Sequence, residues 1–188
     1  AVNNGSLSMK DLDKAVRNVL TLIQKAEDGY APATKWDKEK QHELAGKIES
    51  ECAVLLKNDD KILPLDKTAK IAFIGEFADK PRYQGGGSSH INSFKVTSAL
   101  EAVKGMDNIT YAQGFVTDRD ETVDELLDEA VELAKNSDVA VIFAGLPESF
   151  ESEGFDRKHM RMPDCQLKLI DEVAKVNENV VIVLHNGS

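Results

Sequence analysis

The pattern of apolar and polar residues predicts an amphipathic helix at the start of the chain. Ser8 is placed as its N-cap and Asp11 as the acidic half of a capping box. Leu7 and Leu12 have the spacing of a hydrophobic staple, and Gly29 ends the helix. One face is apolar and needs a partner surface: Leu12, Val16, Val19, Leu20 and Ile23.

A polar linker, "YAPATKWDKEKQ", follows, and a second helix is predicted from about Asp37 to Lys57. We expect residues 1–29 to be the last helix of a domain that is absent from this chain. Residues 30–66 are predicted to be a helical linker. The apolar face of the second helix comprises Leu44, Ile48, Cys52 and Leu55.

From residue 67 onward the pattern alternates between strands and helices. The runs "KIAFIG", "ITYAQGF", "DVAVIFAG" and "NVVIVL" predict strands, and helical spacing separates them at 95–105, 122–137 and 164–177. Near-continuous Val and Ile runs indicate strands buried on both faces, hence a parallel sheet covered by helices. We predict a flavodoxin-like α/β sandwich over 67–188, with strand order 2-1-3-4. Because the chain stops just after a strand, we expect this domain to be truncated at its C-terminus.

Two long loops lie where chemistry is expected. Ligands of open parallel sheets bind beyond the carboxyl ends of the strands, at the point where strand order reverses. Loop 76–93 follows the first strand and loop 146–162 follows the third, so the predicted order makes both loops open onto one crevice.

The first loop contains "PRYQGGGSSHINS". Its three consecutive glycines lose more backbone entropy on folding than other residues, but they allow the backbone to approach a ligand closely. It lacks the G-x-x-x-x-G-K-[ST] and G-x-G-x-x-G signatures, which argues against a nucleotide cofactor. Either the glycines, with the hydroxyls of Ser88 and Ser89, meet a ligand, or the segment is a flexible loop tip.

The second loop contains "GLPESFESEGFDRKHMRMP". Its carboxylates could form a solvated charged face, ligate a hard cation or supply a general acid/base, although their spacing fits no EF-hand. Gly154 allows a sharp turn that pushes the preceding carboxyl outward, and Asp156 with Arg157 could form an anchoring pair. The acidic residues are Glu148, Glu151, Glu153 and Asp156.

Composition removes several classes of function. The 188 residues include 33 acidic and 23 basic ones, for a formal charge of -10, which argues against nucleic-acid binding. No run approaches the roughly 20 apolar residues that span a membrane. Cys52 and Cys165 lack metal spacing and are expected to be free thiols. No signal-peptide pattern begins the chain, so a cytoplasmic location is slightly favoured, although an excised piece would leave the question open.

The two loops carry a resemblance to glycoside hydrolase family 3, the β-glucosidase-type enzymes. The segments "RYQGGGSSH", "ESEGFDR" and "MPDCQ" are specific to it, and "AVNNGSLSMKDLDKAVRNVL" and "ESECAVLLKNDDKILPL" match in the family's order. The resemblance implies an N-terminal (β/α)8 barrel, a linker and an α/β sandwich. This chain resembles the last barrel helix, the linker and the first part of the sandwich, so the missing barrel of the same chain is the expected partner.

The resemblance also implies roles. Family members of this kind are retaining glycosidases whose nucleophilic aspartate lies in the barrel. No metal or other cofactor is expected for this chain. The general acid/base maps onto Glu153, with Glu151 as the reserve candidate, and its environment is expected to raise its pKa. Ser88, Arg82, Tyr83, Gln84 and Phe150 are predicted to bind or line the β-glucoside or a related oligosaccharide. Structural support is expected from Gly85, Gly86, Gly87, Gly154, Asp156 and Arg157.

One alternative from a different class stays open: a flavodoxin-like module that binds a small ligand or partner without catalysis. Within the family, β-xylosidase and glucan hydrolase activities are also possible. The residues that grip the sugar are expected mostly in the missing barrel, so sugar specificity is not readable from this chain.

Overall fold

The computed structural model describes residues 1–31, 35–154 and 156–187. The chain divides into two compact units, Ala1–Glu51 and Cys52–Ser188, each of which is described by itself.

The first unit contains helix α1, Met9–Asp28, and most of helix α2, Lys38–Cys52. Ser8 is confirmed as the N-cap, because the Asp11 amide donates to Ser8 Oγ at 3.1 Å; the Asp11 carboxylate accepts from Ser8 Oγ at 2.7 Å, which is not the second bond of a capping box. Helix α1 is described in full, and none of its residues is buried. Its predicted apolar face is exposed, with Leu20 59% accessible.

Helix α2 ends at Cys52, earlier than the predicted Lys57. The residues that follow carry no regular secondary structure. The Asn58 side chain donates to Leu63 O at 2.9 Å and accepts from Leu63 N at 3.1 Å. These bonds close a loop on the backbone, which competes with further helical turns.

The second unit is built on a four-stranded parallel sheet in the order β2-β1-β3-β4, as predicted. Its strands are β1, Ile71–Ile74; β2, Ile109–Ala112; β3, Val139–Gly145; and β4, Val180–His185. Ile71 pairs with both Ile109 and Val139, and Ala140 pairs with Val180. Every residue of the central strands β1 and β3 is buried, which explains their unbroken apolar runs.

Helices α3, Ala99–Ala102; α4, Asp124–Lys135; and α5, Asp164–Val176 connect the strands. Helix α3 is much shorter than predicted, because Ser98 is its N-cap and leaves Val96 outside, while Gly105 adopts a positive φ of 91°. Two 3₁₀ turns, Glu76–Ala78 and Gly87–Ser89, lie in the first long loop. The largest fully buried apolar side chains include Ile74, Phe115, Ile142, Leu169 and Val173.

Strand β4 lies at the edge of the sheet and keeps apolar surface exposed. Ile182, Val183 and Leu184 are 43%, 36% and 41% accessible. Among the residues that the structure describes, no helix has both the length and the apolar character needed to cross a bilayer.

A buried amide fixes the carboxyl end of β3, where the second long loop begins. Gln166 on α5 is 1% accessible, and its Oε1 accepts a 2.9 Å hydrogen bond from the Gly145 amide. Gly145 has a φ of 150°, and a Cβ there would lie 2.3 Å from His185 O. The glycine thus allows the ends of β3 and β4 to approach closely.

Replacing Gln166 by Leu should destabilise the domain. The apolar side chain conserves most of the volume but leaves the Gly145 amide buried without an acceptor, at a cost of about 1–3 kcal/mol. Urea unfolding of the chain measures this loss. Asp171→Asn, on the exposed side of the same helix, is the control and should change the free energy of unfolding by less than about 0.5 kcal/mol. Equal stability of the two variants would contradict the role given to Gln166.

Candidate active site

Two loops leave the carboxyl ends of the neighbouring strands β1 and β3 and meet each other. We call residues 81–93 the glycine loop and residues 146–162 the acidic loop. A Cβ on Gly86 would lie 2.4 Å from Ser152 Oγ, and one on Gly87 would lie 2.7 Å from both Cβ and Oε2 of Glu153. The two loops therefore contact each other, and the glycines permit a contact that a side chain would block.

Glu153 is exposed at this contact and faces the glycine loop. Its Oε2 accepts a 2.7 Å hydrogen bond from the Ser88 amide and a second, short one from Ser88 Oγ. These two bonds outweigh the small effect of burial and lower the pKa of Glu153. The raised pKa is expected in a cleft that a second domain closes. In the chain described here the direction is the opposite, because two donors stabilise the carboxylate and little surface covers it.

Glu151, the reserve candidate, is engaged by Arg82. Arg82 Nη1 donates to Glu151 Oε2 at 2.8 Å and to Leu146 O at 2.7 Å, while Nη2 donates to Glu151 O at 2.8 Å. The Arg82 side chain is 12% accessible and that of Glu151 is 27% accessible. The Gly187 amide also donates to Glu151 Oε2, at 3.3 Å. The planar guanidinium thus joins the start of the acidic loop to its middle, and Arg82 braces rather than lines the crevice.

Gln84 closes the glycine loop on itself. Its Nε2 donates to Ile91 O at 3.2 Å, and its Oε1 accepts from Ile91 N at 3.0 Å. Ser89 Oγ donates to Gly86 O at 3.2 Å within the same loop. Tyr83 is 51% accessible, and its hydroxyl accepts a 3.0 Å hydrogen bond from Ser93. Gln84 therefore maintains the shape of the loop, whereas Tyr83 presents a ring to solvent.

The remaining predicted residues lie in the acidic loop. The Phe150 and His159 rings pack edge to face with centroids 6.0 Å apart. Arg157 Nη2 donates to Arg161 O at 3.1 Å, and Asp156 is exposed. Gly154 has a φ of 96°, which supports the predicted turn after Glu153. On the other side, a Cβ on Gly85 would lie 3.1 Å from Ser89 Oγ.

Two acidic residues outside the predicted set also support the loops. Asp120 accepts hydrogen bonds from the amides of Asp164 and Cys165 at 3.0 and 2.9 Å, and so caps α5 where the acidic loop ends. Buried Glu76 bonds Lys80 Nζ at 2.8 Å and the Thr117 amide at 2.7 Å. Burial would raise the pKa of each carboxyl, but these partners outweigh it and lower both pKa values. Apart from Lys80, four residues from Glu76, the partners lie 41 to 45 positions away, so no local pattern marks these contacts.

In the part of the chain that the structure describes, no group of three or more His, Cys, Asp or Glu side chains is arranged to hold a metal ion. The Cys165 thiol is buried next to Asp120, and burial, followed by Asp120, raises its pKa to about 12.

The fold and the site define a class: a parallel, flavodoxin-like α/β domain that presents a carboxylate and a glycine-rich loop at the carboxyl ends of β1 and β3. Residues 53–188 match the model of the glycosyl hydrolase family 3 C-terminal domain. The chain belongs to glycosyl hydrolase family 3.

Individual relatives support the assignment. The whole chain is 46% identical to thermostable beta-glucosidase B of Acetivibrio thermocellus and 44% identical to an exo-alpha-(1->6)-L-arabinopyranosidase of Bifidobacterium longum, covering 25% and 26% of those proteins. The crystal structure of a GH3 beta-glucosidase from Bifidobacterium adolescentis superposes with a TM-score of 0.90 and 43% identity, over 98% of this chain and 27% of that one. The chain thus spans about a quarter of the length of these relatives.

Replacing Arg82 by Lys should loosen the acidic loop. A single ammonium cannot reach the three acceptors that the guanidinium fork spans, so amide hydrogen exchange should accelerate at residues 151–154. The free energy of unfolding should fall by about 1–2 kcal/mol.

The control for this prediction is Arg119→Lys. Arg119 is an exposed arginine that pairs with Asp118, its neighbour in sequence, at 3.0 Å. This variant should leave exchange in the acidic loop unchanged. If exchange at residues 151–154 responds equally to both substitutions, Arg82 does not hold the loop.

Proposed function

We propose that this domain supplies the general acid/base of a retaining β-glycosidase of the β-glucosidase type. The observation that carries the proposal is the exposed Glu153 carboxylate, held against the glycine loop where the two loops meet. The relatives named as glycosidases support the reaction class. Their names differ in the sugar, so the proposal extends to glycosidic bond cleavage and not to one particular glycoside.

Between the two candidate glutamates, the contacts favour Glu153 for proton transfer. Glu151 is tied to the Arg82 guanidinium at 2.8 Å and to the Gly187 amide, so its carboxylate is already engaged in holding the loop. Glu153 bonds only Ser88 among the described residues, and its Oε1 accepts no hydrogen bond from them. An acid/base must carry a proton to a substrate, and this oxygen is available for it.

Retaining hydrolysis places a second carboxylate about 5–5.5 Å from the acid/base, across the scissile bond. We assign that nucleophile to an aspartate of a (β/α)8 barrel that this chain lacks. Glu153 then protonates the departing glycosidic oxygen and later takes a proton from the attacking water. A nearby carboxylate and a closed cleft both raise the pKa of Glu153 from its lowered value in the isolated domain.

Three residues are proposed to contact the substrate beside Glu153. Ser88 bonds Glu153 directly, Tyr83 is exposed on the glycine loop, and Phe150 lies on the acidic loop. Arg82 and Gln84 act behind them by holding the two loops in shape.

In the complete enzyme, Glu153→Ala should reduce turnover about 10²–10⁴-fold for glycosides with poor leaving groups. Activated aryl glycosides need less protonation and should lose less in the first step. Azide should restore part of the lost turnover by replacing water in the second step and yielding a glycosyl azide. Steady-state kinetics on a leaving-group series, with product analysis, measures these effects.

Two variants serve as controls for this experiment. Glu125→Gln, at an exposed position of helix α4, should keep parental kinetics. Glu151→Gln should lower loop order and activity without azide rescue, since Glu151 acts through Arg82. Azide rescue of Glu151→Gln, with none for Glu153→Ala, would assign the acid/base to Glu151.

The 188-residue chain alone should not hydrolyse an aryl β-glucoside, because the proposed nucleophile is not among its residues. A chromogenic assay at high protein concentration tests this, with addition of FMN as a probe of the non-catalytic flavodoxin-like alternative. Turnover that disappears in Glu153→Gln would show that the chain contains its own nucleophile. Tight FMN binding would favour the alternative.

A further inference from the structure

Ser88 makes an unusual contact with the proposed acid/base. Its backbone amide and its hydroxyl both donate to the same oxygen of Glu153, Oε2, whereas Oε1 accepts no hydrogen bond from any residue that the structure describes. The two oxygens of one carboxylate are thus in different states, one anchored and one open.

The backbone around Ser88 is shaped for this contact. Gly87, the residue before it, has a φ of 81°, and a Cβ at Gly87 would lie 2.7 Å from Glu153 Oε2. The 3₁₀ turn Gly87–Ser89 then directs the Ser88 amide at the carboxylate. The loop therefore supplies both a donor pair and the space that Glu153 occupies.

We propose that Ser88 is a positioning residue that anchors Glu153 through Oε2, so that Oε1 is the oxygen that exchanges protons during the reaction. This inference rests on the proposed function and deepens it. A carboxylate that receives two donors on one oxygen loses rotational freedom about its side chain, which leaves Oε1 as the oxygen open to a ligand.

The anchoring acts oppositely on the two halves of the reaction. In the first, the proton on Oε1 passes to the glycosidic oxygen, which leaves with the electron pair of the broken bond as the barrel aspartate bonds the anomeric carbon. In the second, Oε1 removes a proton from water, whose oxygen bonds that carbon while the aspartate leaves. Donors on Oε2 stabilise the ionised form, so they make the protonated carboxyl a stronger but less populated acid in the first half and the carboxylate a weaker base in the second.

The neighbouring Ser89 offers a matched comparison. It carries the same hydroxyl one position further along the same 3₁₀ turn, but donates it to Gly86 O at 3.2 Å. Ser88→Ala removes a donor from Glu153 and keeps the amide, Ser88→Thr keeps both donors, and Ser89→Ala removes a hydroxyl that does not touch Glu153.

The deciding experiment is a carboxyl ¹³C NMR titration of Glu153 in the 188-residue chain, with Glu153→Gln used to assign the signal. We expect the Glu153 pKa to rise in Ser88→Ala, and to stay at its parental value in Ser88→Thr and Ser89→Ala. Amide spectra of each variant show whether the fold is kept. A Glu153 pKa that is unchanged in a folded Ser88→Ala variant, or that rises equally in Ser89→Ala, overturns the proposal.

A kinetic measurement on the complete enzyme separates this inference from the proposed function. The basic limb of the pH profile of kcat/KM reports loss of the acid's proton, so it should move to higher pH in Ser88→Ala and not in Ser89→Ala. Glu153→Gln tests the function itself. If Glu153→Gln keeps full activity on glycosides with poor leaving groups, the catalytic assignment of Glu153 is refuted. If Glu153→Gln is inactive but the basic limb of the kcat/KM profile stays at the same pH in Ser88→Ala, only the role of Ser88 is refuted.

Discussion

The parallel pairing of β1 with β3 is the constraint on which the site depends. Because these central strands run side by side in the same direction, the loops that follow them must emerge at the same edge of the sheet. The pairing of the strands determines where the two long loops begin, but it does not determine their conformation. Gly86 and Gly87 let the backbone of the glycine loop approach the side chains of Ser152 and Glu153, and the Arg82 guanidinium bonds the acidic loop as well. The position of Glu153 follows from that contact.

Two nearby glutamates make different contacts where the loops meet. Glu151 faces a largely buried guanidinium and holds the acidic loop, while Glu153 turns outward and meets the hydroxyl and amide of Ser88. The described domain by itself favours an ionised Glu153. The proposed retaining mechanism requires this group to be protonated at the start of each cycle, so the proposal assigns the higher pKa to a second carboxylate and a closed cleft. Splitting the site between two domains would make proton donation depend on their assembly.

The sequence predicts much of this arrangement and fails where distant residues decide. Unbroken Val and Ile runs are enough to predict the parallel sheet, and Ser8 as the N-cap predicts the start of α1. The family-specific segments around Ser88 and Glu153 indicate which two loops matter. Spacing does not show that Arg82 reaches Glu151, 69 positions away, or that Asp120 caps α5, because both are long-range contacts. The lowered pKa of Glu153 depends on the direction in which Ser88 donates, which only a structure gives.

The most direct test of the account is a crystal structure of the complete protein with a glycoside, or a stable glycoside analogue, bound in its cleft. The account predicts an oxygen of Glu153 about 2.6–3.2 Å from the glycosidic oxygen, with Ser88 still on the other carboxylate oxygen. It also predicts an aspartate carboxylate from another domain about 5–5.5 Å from that of Glu153. A structure in which a different carboxyl group approaches the glycosidic oxygen, with Glu153 turned away from the ligand, would contradict it.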